Sequence, residues 1–216
     1  MNYRTECYSR AVKTAPLALA FVLAAAPAAH SATVEVTVKD AVGAPVEDAV
    51  VWAIPKPGPA PQRKRDAAIA QRDKAFVPLV TVVQTGTAVQ FPNQDPIRHH
   101  VYSFSTPKTF EIKLYAGTPV APVVFDKPGE VVLGCNIHDH MIAYVYVVDS
   151  PWFAKTAKDG QAKLEGLPAG EYDLYLAHYL QSDPQAPVTI RPRGEEALPA
   201  AFSVALKPPA PRIIPK

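Results

Sequence analysis

Segment 134–141, GCNIHDHM, holds a cysteine, two histidines and a methionine within eight residues. Cys135, His138 and Met141 have the spacing C-x-x-H-x-x-M, in a predicted tight loop between the strand-like runs VVLG and AYVYVV. A loop of that length can direct a thiolate, an imidazole and a thioether toward one point. Three interpretations are open at this stage: a metal site, a nucleophile with its base, or a loop without chemistry.

A second pair of histidines, His99 and His100, begins the strand-like run HHVYSFS and is the obvious source of a fourth ligand. One cysteine, two histidines and a weak axial methionine form the ligand set of a blue-copper electron-transfer site. Zinc also accepts Cys and His, but Met is a poor ligand for zinc. His178, the last histidine in the sequence, belongs to neither pair and is predicted to be an ordinary strand or loop residue.

The N-terminus predicts export from the cytoplasm. Arg4, Arg10 and Lys13 precede an apolar run over residues 15–29, which small residues follow. This order is typical of a secretory signal peptide, predicted here over residues 1–31 with cleavage close to Ser31. The apolar run is short for a bilayer span, although an uncleaved anchor remains the alternative. In a bacterium, the exported protein would be periplasmic, with no membrane span after cleavage.

Removal of the signal peptide changes both the charge and the cysteine count. It takes three basic residues and one acidic residue from totals of 22 and 20, so 19 of each remain. A net charge near zero gives no indication of a nucleic-acid or polyanion partner. Cys7 leaves as well, and Cys135 becomes the single cysteine of the exported chain. An odd cysteine in an exported protein suggests pairing with another chain or a use as a thiol.

Strand-like runs separated by Gly, Pro, Asn and Asp turns dominate the chain and predict an all-β fold built from sandwiches of Greek-key type. The one candidate helix is a short one within residues 63–76, RKRDAAIAQRDKAF. The proline-rich segment 55–62 is predicted to be a linker, and residues 207–216 a flexible tail.

Two separate segments resemble the carboxypeptidase regulatory-like (prealbumin-like) β-sandwich. The first has that family's D-x-x-G-x-P turn at Asp40, Gly43 and Pro45, and the second has a D-G turn at 159–160 and an L-P-x-G-x-Y hairpin at 167–172. The resemblance implies a discontinuous sandwich of residues 32–56 and 150–206, into which a second domain is inserted. Scaffolding is the role expected of this sandwich.

The inserted segment 66–149 resembles a cupredoxin, in the plastocyanin and amicyanin group, and the two-part layout resembles methylamine-utilisation-type proteins. The G-x-x-V-x-F-x-N lead-in is present at Gly86, Val89, Phe91 and Asn93, and the C-x-x-H-x-x-M loop has the amicyanin spacing. The resemblance implies one copper ion, cycling between Cu(I) and Cu(II). The implied ligands are His99, Cys135, His138 and the axial Met141.

The chain departs from the cupredoxin pattern at two positions. The family's H-N-V strand aligns with His99-His100-Val101, which makes His99 the expected ligand and puts His100 where an Asn normally ties the ligand loops together. His100 is expected to make that tie through a ring nitrogen, with His100 as ligand remaining the alternative. Leu133 replaces a common aromatic, and His140 is expected to face solvent.

The function implied is a periplasmic one-electron carrier, without enzymatic activity, acting as a monomer. It would dock transiently on a cytochrome or a dehydrogenase through apolar residues around His138. Copper binding and delivery is the main alternative. A hydrolase with Cys135 as nucleophile and His138 as base is a third, disfavoured because no orienting Asp or Asn is evident in the sequence. Trp52 and Trp152 are predicted to pack at the domain junction.

Overall fold

The computed structural model describes residues 31–63, 65–119, 121–194 and 197–208. The predicted signal peptide and Cys7 therefore lie outside the described residues, apart from Ser31. Most of the predicted tail, residues 209–216, lies outside them too. Among the described residues, no helix has the length and apolar content that a bilayer crossing requires.

The described chain consists of strands and their connections, which confirms the predicted all-β fold class. The strands are β1 (Ser31–Asp40), β2 (Val50–Pro55), β3 (Ala67–Ala68), β4 (Ala70–Arg72), β5 (Ala75–Val77), β6 (Val80–Gln84), β7 (Thr87–Gln90), β8 (His99–Ser105), β9 (Lys108–Tyr115), β10 (Val123–Phe125), β11 (Gly129–Gly134), β12 (Ile142–Val148), β13 (Phe153–Lys155), β14 (Gln161–Pro168), β15 (Tyr172–Ala177), β16 (Val188–Ile190) and β17 (Ala197–Val204).

The smaller sandwich is built from both ends of the described chain. One sheet has the order β14-β1-β17 and the other the order β13-β2-β15-β16. Alternation along β1 turns Val34, Val36 and Val38 into a shared core, as a half-buried strand requires. The turn after β1 is closed by Asp40, whose Oδ1 accepts the N–H groups of residues 42 and 44, and Gly43 supplies the left-handed conformation with φ 89°.

The larger sandwich lies between these segments in sequence. Its main sheet has the order β6-β12-β11-β8-β9, and the order β10-β7-β3 forms the facing sheet. Alternate residues of β11 and β12, including Val131, Leu133 and Val145, fill the core between the sheets. Cys135 and Met141 belong to the same buried cluster. The ends of the core strands therefore carry the side chains that the sequence singled out.

The helix predicted within residues 63–76 is wrong. That segment contains β3, which pairs in parallel with β7, and the hairpin β4–β5. Asp73 and Lys74 form the two-residue turn of the hairpin, with φ of 54° and 56°. Positive φ at both central residues identifies a type I′ turn, which matches the twist of the flanking strands. The pairing of β3 with β7 and the type I′ turn of the β4–β5 hairpin therefore outweigh the helical propensity of the alanines.

The two sandwiches meet through an apolar cluster between their sheets. Val50 of β2, Val80 of β6 and Tyr146 of β12 are buried there, and Trp52 and Tyr144 pack against them. The placement of Trp52 at this junction is confirmed. The placement of Trp152 is wrong, because Trp152 lies in the core of the smaller sandwich and its indole N–H donates to the Gly166 carbonyl at 2.8 Å.

Candidate metal centre

The loop between β11 and β12 folds back twice over seven residues. The His138 N–H donates to the Cys135 carbonyl at 3.4 Å, and the Met141 N–H donates to the His138 carbonyl at 2.9 Å. These two turns bring the side chains of Cys135 and His138 close to each other. The Cys135 Sγ atom lies 3.9 Å from Nδ1 of His138. Cys135 is 3% exposed, whereas His138 is half-buried at the surface.

His99, the first residue of β8, completes a cluster of three donor side chains. One ligand atom each from His99, Cys135 and His138 lies within 4.8 Å of the others. His99 has no exposed surface. Its Nε2 is hydrogen-bonded to Asp95 Oδ2 at 2.7 Å, and its buried Nδ1 has no hydrogen-bond partner within the described part of the chain. A buried ring nitrogen without a partner, in a cluster with a thiol and a second imidazole, is an arrangement that a metal ion would satisfy.

Met141 is buried in the core cluster that also contains Cys135. Both side chains contribute to the floor of a surface groove of about 470 Å³, with Tyr102 and Ile142 among its walls. The thioether is therefore on the loop and in the cluster where an axial ligand is predicted. Its role as a fourth ligand stays a prediction.

The structure separates the two neighbouring histidines of β8. His100 is not part of the donor cluster; its Nε2 is hydrogen-bonded to Glu111 Oε1 of β9 at 2.8 Å. The hydrogen bond expected to tie the ligand loops together through His100 is not observed, because its Nδ1 has no partner among the described residues. The pairing of β8 with β9 shifts register between His99 and Val101, and this irregularity accompanies the different environments of the two rings.

Asn93 fastens the segment that leads to His99. Its Nδ2 donates to the carbonyls of Ile97 and Tyr115, at 2.8 and 3.0 Å, and its Oδ1 accepts the N–H of Asp95 at 3.0 Å. Asn93 is 7% exposed. It thereby joins the loop before β8 to the end of β9. In the sequence, Asn93 is recognisable only as part of the G-x-x-V-x-F-x-N pattern, which does not indicate this role.

Asp95 was also missed as a site residue. Its Oδ1 accepts the Asp73 N–H at 2.7 Å, and its Oδ2 accepts the Lys74 N–H at 3.0 Å in addition to the contact with His99. The spacing of four residues between Asp95 and His99 was the only available signal. The contribution of the β4–β5 turn could not be foreseen, because the segment was predicted to be helical.

The electrostatics favour an anionic Asp95 and a neutral His138. Burial acts to raise the pKa of Asp95, but the hydrogen bonds from Lys74, His99 and Asp73 outweigh it and lower the pKa. Burial lowers the pKa of His138, and the positive charges that His99, His140 and Lys74 can carry lower it further. A neutral imidazole keeps a lone pair available for a metal ion.

Two further histidines lie outside the cluster. His140 is exposed, as predicted, with its ring centroid 5.9 Å from that of His138. His178 is buried in a structural role: its Nε2–H donates to the Glu47 carbonyl at 3.2 Å, and its Nδ1 accepts the Leu180 N–H at 3.1 Å. Neither ring nitrogen of His178 is left for a ligand.

The nucleophile hypothesis needs one correction. An orienting carboxylate does exist, since Asp95 binds His99, and His99 rather than His138 would then be the base beside Cys135. Such an arrangement resembles a nucleophile, base and orienter in order. However, His99 is fully buried and Cys135 nearly so. Hydrolysis requires an accessible thiol and base and gives Met141 no role, so the donor cluster fits a metal ion better than hydrolysis.

Searches against family models and curated proteins find no match. Among solved structures, the chain is similar to the copper-containing nitrite reductase of Thermus scotoductus SA-01, with 23% identity and a TM-score of 0.37 over 42% of this chain and 25% of that one. It is also similar to a purple cupredoxin from Nitrosopumilus maritimus (22%, 0.35, over 38% and 100%) and to amicyanin from Paracoccus versutus (12%, 0.33, over 45% and 98%). Each likeness covers less than half of this chain, and the copper named for the nitrite reductase belongs to that protein.

Proposed function

We propose that this chain is an exported type 1 copper protein that carries one electron at a time between redox partners. The observation that supports it best is the cluster of His99, Cys135 and His138, in which the buried Nδ1 of His99 has no hydrogen-bond partner among the described residues. Two imidazoles and a thiolate suit copper, and a nearby thioether distinguishes the set from the usual zinc sites. Bound copper would supply a Cu(II)/Cu(I) couple, which is the chemistry of electron transfer.

The protein's own contribution would be to hold the donors in a dry, closed site. His99, Cys135 and Met141 are each at most 3% exposed, so water has little access to the position between them. A site closed by four protein ligands leaves no position for a substrate. This arrangement favours a carrier over an enzyme.

The route for the electron is proposed to be the half-buried edge of His138, beside Ile137, which is 47% exposed. The partner class is proposed to be a cytochrome or dehydrogenase that docks there transiently. Because the net charge of the exported chain is near zero, docking should depend only weakly on salt. Ile142 is 42% exposed and provides a matched position beside the groove. Electron self-exchange, measured by NMR line broadening, should be slowed more by Ile137→Glu than by Ile142→Glu.

The decisive experiment is copper reconstitution of the full chain, purified from a bacterial host. One equivalent of Cu(II) should give an intense thiolate-to-copper band and a small parallel hyperfine splitting in EPR. Cys135→Ser should abolish the band, whereas Cys7→Ser should keep it. His99→Ala should abolish it, and the neighbouring His100→Ala should retain it. A pale protein with an ordinary tetragonal EPR spectrum would refute the electron-transfer proposal.

Copper delivery is the second candidate, and the exposed His140 beside His138 is the observation that favours it. An exposed imidazole next to a ligand offers a transfer step for the metal. Delivery requires rapid copper loss to a Cu(I) chelator, and that loss should slow markedly in His140→Ala. Slow loss that is unaffected by His140→Ala would exclude this role.

Export and domain organisation are part of the same proposal. Residues 1–31 would be removed in the periplasm, and the mature protein would be a monomer. The chain would then comprise a regulatory-like sandwich of residues 32–56 and 150–206 and a copper domain of residues 66–149. Because Ser31 pairs with Pro168 at the first position of β1, cleavage at this point would leave nearly the whole strand. Mass spectrometry of the exported protein tests the cleavage site.

A further inference from the structure

Asp95 connects a remote turn to one of the candidate ligands. Its carboxylate accepts the two backbone N–H groups of the β4–β5 turn, from Asp73 and Lys74, and also contacts Nε2 of His99. Its side chain is 8% exposed. Within the described part of the chain, no lysine or arginine side chain forms an ion pair with it. The groups that stabilise its negative charge are therefore the backbone amides of Asp73 and Lys74 and the imidazole of His99.

The geometry fixes which nitrogen of His99 faces the site. An ionised carboxylate can accept hydrogen bonds but cannot donate them. Because Nε2 of His99 is hydrogen-bonded to Asp95, the proton of a neutral His99 must be on Nε2. Nδ1 is then the lone-pair nitrogen. It is buried and has no partner within the described part of the chain, and His99 belongs to the donor cluster with Cys135 and His138. Asp73 and Lys74 hold the carboxylate in place independently of His99. The ring is thus oriented before any metal binds.

We infer that Asp95 is a positioning residue that biases bound copper toward Cu(II) through His99, an inference that rests on the proposed function. An imidazole that donates to an anionic carboxylate becomes a more basic metal ligand. The carboxylate also adds a negative charge close to the ion, and a doubly charged ion gains more from it than a singly charged one. Asp95 therefore stabilises Cu(II) relative to Cu(I) and lowers the reduction potential.

The neighbouring histidine offers a matched control. His100 makes the same kind of contact, with Nε2 2.8 Å from Glu111, yet His100 is not in the donor cluster. Glu111→Gln removes the negative charge of the carboxylate that contacts His100, next to His99 in sequence. Asp95→Asn removes the negative charge of the carboxylate that contacts His99 itself. A general effect of charge should appear in both variants, more weakly in Glu111→Gln because the Glu111 side chain is 56% exposed and that of Asp95 is 8% exposed. An effect through the ligand should appear only in Asp95→Asn.

The test is spectroelectrochemical titration of the copper-loaded full chain, with Cu(II) and Cu(I) affinities from competition. Asp95→Asn should weaken Cu(II) binding about tenfold relative to Cu(I), which raises a one-electron potential by about 59 mV. Glu111→Gln should change the ratio less than twofold, and both variants should retain the thiolate-to-copper band. Equal shifts in the two variants, or no shift in Asp95→Asn, would overturn the inference. Absence of the band in wild type would instead refute the proposed function.

A copper-free measurement covers the case in which Asp95→Asn does not fold. Imidazole ¹⁵N NMR of the metal-free wild type, at a pH where His99 is neutral, should show the proton on Nε2 and none on Nδ1. A proton on Nδ1 would overturn the inference, because the lone pair would then face Asp95. The signal is assigned by its loss in His99→Ala.

Discussion

Asn93→Ala should destabilise the larger sandwich by about 3 kcal/mol. The substitution removes three hydrogen bonds, two donated to the carbonyls of Ile97 and Tyr115 and one accepted from Asp95. A net value of about 1 kcal/mol for each gives that sum. Because Asn93 is 7% exposed, water cannot readily replace the lost partners.

Hydrogen exchange of the amides in β8 and β11 is the appropriate assay, because it reports on the larger sandwich separately from the smaller one. The Asp95 amide should also lose its protection, since its acceptor is gone. Gln94→Ala is the control: Gln94 is exposed next to Asn93, and its replacement should change stability by less than about 0.5 kcal/mol. A loss below about 1 kcal/mol in Asn93→Ala would refute the assignment of Asn93 as the fastening residue.

Asn93→Asp sharpens the same prediction. The variant keeps the shape and the acceptor for the Asp95 N–H, but two carbonyls now face a carboxylate oxygen instead of an N–H donor. At pH 7 it should be at least as destabilised as Asn93→Ala, because repulsion replaces hydrogen bonding. A stability close to that of wild type would show that the two donated bonds contribute little.

Three further predictions concern positions with different physical origins. In Gly134→Ala, the new Cβ would lie 2.7 Å from Cζ of Tyr102, so we expect a loss of about 1–3 kcal/mol that largely disappears in a Tyr102→Ala background; equal losses in both backgrounds would contradict it. Lys74→Gly should raise the free energy of unfolding by about 1 kcal/mol by removing left-handed strain at φ 56°, and a decrease would contradict it. Burial lowers the pKa of His178, so the contribution of its neutral form to folding stability is complete above pH 6.5 and is lost as the pH falls through the folded pKa. Urea unfolding at several pH values should therefore show wild type losing stability relative to His178→Asn as the pH drops below 6.5. A stability difference that does not depend on pH would contradict this prediction.

The sequence indicated which side chains would cluster, but it did not indicate the groups that hold them in place. Cys135 and His138 lie on one short loop, so their spacing alone brings them together, and Met141 ends the same loop. The resemblance also indicated His99 rather than His100, and the structure places His99 in the donor cluster. Asn93 acts through contacts with Ile97 and with the distant Tyr115. Such contacts depend on the register of β8 with β9 and on the path of the loop before β8, which no local pattern encodes.

The incorrect helix prediction for residues 63–76 concealed the second set of contacts that position His99, which runs through Asp95. Alanines and alternating charges favour a helix locally, but β3 finds backbone partners on β7, and Asp73 and Lys74 turn the chain back. Tertiary pairing thus overrides propensity in a segment too short to bury a helical face. Because the N–H groups of that turn bind Asp95, the error in secondary structure concealed a link to His99.

The two sandwiches are joined along the strand that follows the ligand loop. β12 begins at Ile142, directly after Met141; its odd-numbered residues from Ala143 to Val147 face the core of the larger sandwich, and Tyr144 and Tyr146 face the smaller one. Lys155 of the smaller sandwich adds a polar link, since its Nζ donates to the Val80 carbonyl of β6 at 3.1 Å. β12 is therefore held on both faces. A strand held in this way gives the loop before it a fixed end, so the scaffolding role expected of the smaller sandwich has a direct physical route to the candidate metal centre.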